Sequence, residues 1–275
     1  MNFATIAGIL LGISVILFGI IDLNELNETT TIFDQLGKFF DPKSVGIVLF
    51  GTFAATMVNY PFSKIFGVFK VTKNVFKLKE SVELDTVKSL ISISQVVKDK
   101  GVKGLEPVIK KTDDPFLRNA LEMIPVETDN ERYNKYLNSE LKAMIERHQR
   151  GQEMLFNMGT YAPAFGMLGT VMGLILMMMG QMGADEMEID LNGVLVDMGL
   201  ALRTTFYGVV LANLFFMPMA GKLKTMSEQD VHIREIMIEG LSCIHRKEHP
   251  LIIQDKLSAY LPIELKLKLK KGGKA

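Results

Sequence analysis

Two threonines stand out as the residues of this chain best placed to handle an ion. Thr170 lies sixteen positions into an apolar run from about Met154 to Met179, and Thr205 fourteen into another from about Leu191 to Met217. At about 1.5 Å rise per residue, both hydroxyls fall near the middle of a hydrocarbon layer about 30 Å thick. A hydroxyl at that depth either bonds a carbonyl one turn back on its own helix or, paired with another, lines a narrow polar pathway. Asp197 and Arg203 are the charged residues within the second run. Charges at membrane depth mark ion paths or ion pairs. Asp197 is close enough to the acidic end of its run to sit at the outer interface. Arg203 is deeper: it can snorkel outward, pair imperfectly with Asp197, or meet an acid on another chain. The runs hold no carboxylate deep enough to carry protons across alone. If ions move here, a partner supplies the titrating group.

Other chemistry is sparse. His148, His232, His245 and His249 lie outside the apolar runs, none in an HExxH context. His245 and His249 are four apart, but Pro250 adjoins them and no acid or thiol cluster completes a metal site. A single cysteine, Cys243, excludes an internal disulfide and a CxxC site. Gly-rich phosphate loops are absent. These features argue against an enzyme and call for no cofactor and no metal. The formal net charge is +0, which gives no reason to expect nucleic acid. Only the tail, with Lys266, Lys268, Lys270, Lys271 and Lys274, is strongly basic, which fits a solvated or lipid-headgroup-facing segment.

The elements that must position these residues follow from hydropathy. The chain has 275 residues, 48% of them hydrophobic, gathered in long charge-free blocks rather than spread as in a soluble core. Four segments are candidates to span a bilayer: Phe3–Ile21, about Val45–Tyr60 (the shortest), Met154–Met179 and Leu191–Met217. The first has no basic leader or small-residue cleavage site, so it is not read as a signal peptide. Residues 22–41 carry one basic residue, Lys38, and residues 181–190 none, but Asp185, Glu186, Glu188 and Asp190. By contrast, residues 61–153 carry seventeen Lys and Arg, and eleven more follow residue 220. The positive-inside rule therefore places both termini and the large loop in the cytoplasm. The expected protein is an all-α integral membrane protein with transmembrane helices at 1–21, 42–62, 154–180 and 191–217. Outer loops fall at 22–41 and 181–190, a cytoplasmic helical domain at 63–153 and a cytoplasmic helical tail at 218–275. Helical spacing of Val82, Val87, Leu90, Ile91, Ile93 and Val97, of Leu137, Leu141, Met144 and Ile145, and of Val231, Ile233, Ile236, Ile238 and Leu241 supports the cytoplasmic part. Pro107, Pro115 and Pro125 divide it into short helices.

The third and fourth spans carry strips of small residues at helical spacing. One is Ala162, Gly166, Gly169, Thr170 and Gly173; the other is Ala201, Thr204, Thr205, Gly208 and Ala212. Small residues let membrane helices approach closely, so the strips fit tight packing and equally the walls of a polar pathway. Pro163, inside the third span, frees a carbonyl near Gly159, which predicts a kink that either hinges or simply shapes the bundle.

The pairing of "YAPAFGMLGTVMGL" (161–174) with "LRTTFYGVVLANLFFMPMAGKL" (202–223) resembles the MotA/PomA family of flagellar motor stator subunits, related to ExbB and TolQ. The resemblance extends to the four-span plan, the large loop and the charged tail. It implies a homo-pentamer around a dimer of MotB-like single-span chains in the bacterial inner membrane. A partner aspartate would bind the transported Na+ (alternatively H+), and the cytoplasmic loop would push the rotor protein FliG. Carried across, Pro163 and Pro218 take the place of the functional prolines, and Thr170, Thr204 and Thr205 would form the ion pathway. Thr170 resembles the sodium-type subunits, in line with the oxygen ligands a dehydrating cation needs. In "KDKGVKGLEP" (98–107), Lys98 and Glu106 match the rotor-contact charges. Arg203 departs from the apolar residue expected there. The loop at 22–41 is longer and more acidic than expected, with Asp22, Glu25, Glu28, Asp34 and Asp41; its acidity attracts cations or merely follows the charge rule, and the second reading is preferred. An energiser of another envelope system, as in ExbB and TolQ, is the alternative function.

Overall fold

A computed structural model describes residues 3–21, 32–72, 82–181 and 191–272, and among them every regular element is helical. Several acids of the expected outer loops (Asp22, Glu25, Glu28, Asp185, Glu186, Glu188 and Asp190) and Lys274 of the tail lie outside the described residues. The helices are α1 (Phe3–Ile20), α2 (Ile32–Phe39), α3 (Pro42–Asn59), α4 (Phe62–Thr72), α5 (Val82–Lys100), α6 (Glu106–Lys111), α7 (Pro115–Met123), α8 (Asn130–Gln181), α9 (Leu191–Val210), α10 (Met217–His245), α11 (Pro250–Ser258) and α12 (Ile263–Gly272). A 3-10 turn over Val102–Leu105 links α5 to α6, and a π-helical segment over Leu211–Phe216 joins α9 to α10. The chain divides into two compact units, Met1–Leu78 with Gln149–Lys224, and Lys79–His148 with Thr225–Ala275.

The first unit holds the apolar helices. Among the described residues two helices are long and apolar enough to cross a membrane, Asn130–Gly180 and Leu191–His245, while α1 provides a shorter apolar stretch, Thr5–Ile20. Its buried cluster joins Val48, Ile65, Met154, Leu155, Met158, Ala162, Ala212, Phe216, Ala220 and Leu223. The helix α3 buries a polar stripe, Ser44, Thr52 and Thr56, together with Val48. Spaced four apart, these residues share one face, and the threonines satisfy themselves: Thr52 donates to Val48 O and Thr56 to Thr52 O, each at 2.7 Å. Asp41 caps this helix and Pro42 opens it, the residue types an N-terminus favours.

The second unit is a helical domain around Leu90, Leu105, Leu121, Tyr133, Leu137, Ile236, Leu241, Ile253 and Leu257. The helical spacing noted above is realised here: Val87, Leu90, Ile93 and Val97 are all buried along α5. Pro107 and Pro115 stand in the first turns of α6 and α7, and Asp114 caps α7 by accepting from Leu117 N at 3.1 Å. The buried Tyr133 hydroxyl donates to Ala120 O at 3.0 Å. Arg234 Nη1 donates to both oxygens of Asp114 at 2.7 Å, its guanidinium lying 4.9 Å from the Phe116 ring centre.

Candidate functional site

The small-residue strips of α8 and α9 face each other and close. A Cβ placed on Gly166 would lie 3.0 Å from Thr204 O and 3.2 Å from Thr205 Cα; one on Gly173 would lie 2.7 Å from Asp197 O. At Gly208 the nearest atoms would be Ala162 O at 2.6 Å and Pro163 Cα at 3.1 Å. The two backbones are in direct contact, which only glycine permits at these positions. Of the two readings the strips left open, close packing is what they do within this chain. Pro163 takes part in that contact without interrupting α8.

The threonines separate into two kinds. Thr204 is fully buried in the seam, and its hydroxyl donates to Leu200 O at 3.0 Å and Ala201 O at 2.9 Å. Thr170 and Thr205 sit half-buried, their hydroxyl oxygens 2.5 Å apart. Thr170 also donates toward Gly166 O and Ala201 O at 3.2 Å, and Thr205 toward Ala201 O at 3.3 Å and Gly166 O at 3.4 Å. Two hydroxyls and two carbonyls thus meet across the helices, with no carboxylate among them. Such a group cannot titrate, but its oxygens suit hydrogen bonding or a partly dehydrated cation.

Beyond the seam, the helix that continues from α9 widens. The π-helical segment Leu211–Phe216 ends with Met217 N bonded to Ala212 O, immediately before Pro218. Proline lacks the N–H an α-helical ladder needs there, and π turns recur at functional sites. Nothing in the spacing of apolar residues pointed to this widening; Pro218 was the one signal.

Arg203 finds its place on the other side of α9. It shares a face with Tyr207, four residues on, while Thr205 points away from that face. The Tyr207 hydroxyl donates to Phe39 O and accepts from Asp41 N at 3.3 Å. The guanidinium lies over Gly199, one turn toward the start of α9: a Cβ there would be 3.7 Å from it. Asp41 receives the amides of Ser44 at 2.9 Å and Lys43 at 3.4 Å, and also the Ser44 hydroxyl. Burial pushes the Asp41 carboxyl up, but the Ser44 and Lys43 donors and the Arg203 charge outweigh it and hold the acid below its ordinary range. The corner at Asp41 is thus tied to α9 by the Tyr207 hydroxyl, in a segment that the sequence presented only as part of an acidic loop.

Lys98 and Glu106, in the second unit, are both exposed and both engaged. Lys98 Nζ is 2.9 Å from His249 Nε2, and Glu106 accepts from Lys110 at 3.1 Å. Gly101, with φ at +67°, turns the chain between them. The remaining histidines are dispersed: His148 Nδ1 is 3.0 Å from Ser227 Oγ, and His245 stacks on Tyr133 with ring centres 4.7 Å apart.

Comparison with known proteins adds a second line of argument. Residues 108–236 match the MotA/TolQ/ExbB proton channel family. The chain is 36% identical to motility protein A of Treponema phagedenis over 223 residues, 81% of this chain and 83% of the relative. It is 31% identical to motility protein A of Bacillus subtilis (strain 168), over 86% of this chain and 85% of the relative. Among solved structures, it resembles the flagellar MotAB stator complex from Bacillus subtilis with a TM-score of 0.80 and 28% identity, covering 96% of this chain and 98% of that one.

Proposed function

This chain belongs to the MotA/TolQ/ExbB proton channel family, and on that premise we propose that it is a flagellar motor stator subunit. With a MotB-like single-span partner it forms an ion channel that couples inward ion flow to rotation and to torque on the rotor. The observation that carries this reading is the whole-chain likeness to a stator fold, which includes both units and not the channel helices alone.

In this reading α1 and α3 join the spans of α8 and α9, giving four crossings with both termini in the cytoplasm. Exposed apolar side chains support it: Leu10, Leu11 and Phe18 on α1, Phe50 and Val58 on α3, Leu168 and Leu174 on α8, and Leu202 on α9 all lie open. So many are costly in water and natural against lipid or neighbouring subunits. Five copies surround a partner dimer whose aspartate supplies the missing carboxylate. Thr170 and Thr205 offer oxygens to a sodium ion, the preferred ion over H+, and Thr204 acts from inside the seam by holding α9 against α8. Pro163 in α8 and Pro218 at the start of α10 mark where the chain adjusts as the ion passes. Lys98 and Glu106 meet FliG. An energiser of the ExbB and TolQ kind shares the family and the pathway but not the rotor.

The test is swimming in a stator-deleted motile host that carries this chain and its partner. Speed rises with sodium at fixed pH, and Thr170→Ala removes that dependence; unchanged sodium-dependent rotation in this variant removes the sodium reading. Charge reversal at Lys98 and Glu106 impairs motility in a stator and leaves it intact if the chain energises another system.

A further inference from the structure

The imidazole of His249 faces more donors than it can serve. Its Nδ1 lies 3.3 Å from Leu251 N at the start of α11, and its Nε2 lies 2.9 Å from Lys98 Nζ. An ammonium and a backbone N–H can only donate, and a neutral imidazole has a single lone pair. The two contacts are therefore alternatives. With the proton on Nδ1 the ring holds Lys98; with the proton on Nε2 it caps α11 and lets Lys98 go. The cap has a definite client. Pro250 has no N–H, and the amides of Ile252 and Ile253 already use His249 O, so the Leu251 amide is the one the ring serves. Lys98 and His249 line a small cavity with Lys247 and Glu248. Lys247 is a cation, and the Glu248 carboxylate is already held by Arg246 at 3.0 Å and Lys256 at 2.8 Å. The shorter of the two ring contacts is the one to Lys98, which selects the tautomer protonated at Nδ1 in the free chain.

We propose that His249 is a positioning residue for Lys98: its Nε2 holds the ammonium against the chain, and when an acidic partner surface draws Lys98 away, the lone pair passes to Nδ1 and caps α11. The proposal rests on the stator reading above, in which Lys98 meets the rotor. Solvent carries the proton from Nδ1 to Nε2, so the ring stays neutral throughout. Release of Lys98 then costs little, because the Leu251 amide replaces the ammonium as the ring's donor. A purely structural cap predicts something different: the ring keeps one tautomer whether Lys98 is present or not.

The test uses the full chain with its partner in lipid, with histidine labelled by nitrogen-15. The His249 signal is the one lost in His249→Asn, and spectra are taken in alkaline buffer. The parent is expected to show the proton on Nδ1, and Lys98→Ala to move it to Nε2; one tautomer in both overturns the proposal. Two variants then separate the two contacts. Asn places its amide oxygen near the position of Nδ1 and keeps the cap, whereas Gln reaches about as far as Nε2 and keeps the hold on Lys98. Acylation of Lys98, read by mass spectrometry, is expected about threefold faster in His249→Asn and unchanged in His249→Gln, since a hydrogen bond of this kind contributes little net. Equal rates in the parent and His249→Asn overturn the proposal. In the stator-deleted host, His249→Gln is expected to slow rotation under load, because Lys98 then leaves without compensation, while His249→Asn rotates as the parent does. Equal speeds for both variants overturn the link to the rotor. A parent that produces no rotation overturns the stator reading instead and leaves the ring measurements standing.

Discussion

Gly208→Ala offers the sharpest test of the seam. The added methyl would sit 2.6 Å from Ala162 O and within 3.2 Å of the Pro163 and Gly166 Cα atoms. All three are backbone atoms, so no side chain can rotate out of the way. Ordinary contact begins near 3.4 Å, so α8 and α9 must part by about 0.8 Å. A separation of that size would carry the Thr170 hydroxyl, now 3.2 Å from Ala201 O, out of hydrogen-bond range. Overpacking of this kind costs about 1–3 kcal/mol, against roughly 1 kcal/mol gained when Ala replaces Gly in a helix. The net expectation is a loss of up to about 2 kcal/mol. The assay is retention of the purified stator complex on size exclusion after a temperature series, paired with swimming speed. Gly67→Ala, where a Cβ would meet nothing within 4 Å, is the control and is expected to hold or raise the midpoint. If Gly208→Ala melts no earlier than the parent and swims as well, the helices are not held by backbone contact and the reasoning fails.

Other expectations concern the second unit. The Cys243 thiol is fully buried and pushed up to about 11 by its burial, so maleimide at pH 7 should label it only after denaturation; rapid labelling of the native complex would contradict the packing around α10. The Glu248 carboxyl is held below its ordinary value of 4.5, mainly by a hydrogen bond from Lys256 and with help from Arg246, against its own desolvation. A lowered folded value means that its stabilisation is present above pH 4.5 and is lost as pH falls through the folded value. Glu248→Gln should then lower the melting temperature at pH 7, with the gap to the parent closing below pH 4; a gap independent of pH would refute the charge argument.

How much of this was readable in advance varies with the range of the interaction. Local chemistry was plain: Asp41-Pro42 and Asp114-Pro115 open α3 and α7, and His249-Pro250 opens α11 with the His249 ring accepting from Leu251 N. Helical spacing identified the α5 and α10 faces that fill the core. The glycine and threonine strips announced close approach, but a small residue records that something comes near, not what. Only the structure shows that each strip has the other as its neighbour and that Thr204 is sealed while Thr170 and Thr205 stay half-open. The contact of Tyr207 with Asp41 was beyond reach because it bridges 166 positions and Asp41 belonged to a segment judged by its overall acidity. Lys98 was legible only as a match to a rotor-contact charge, and its contact with His249 bridges 151 positions.

The wide turn at Leu211–Phe216 makes the run from α9 into α10 one residue longer than a regular spiral would need to cover the same rise. Removing one residue from those six would let the spiral close to ordinary pitch while Thr204 and Pro218 kept their facing directions. This short stretch is therefore where a related chain can be one residue shorter without turning either flank away from its neighbours, whereas the same loss at Gly166 or Gly173 would rotate the seam out of register.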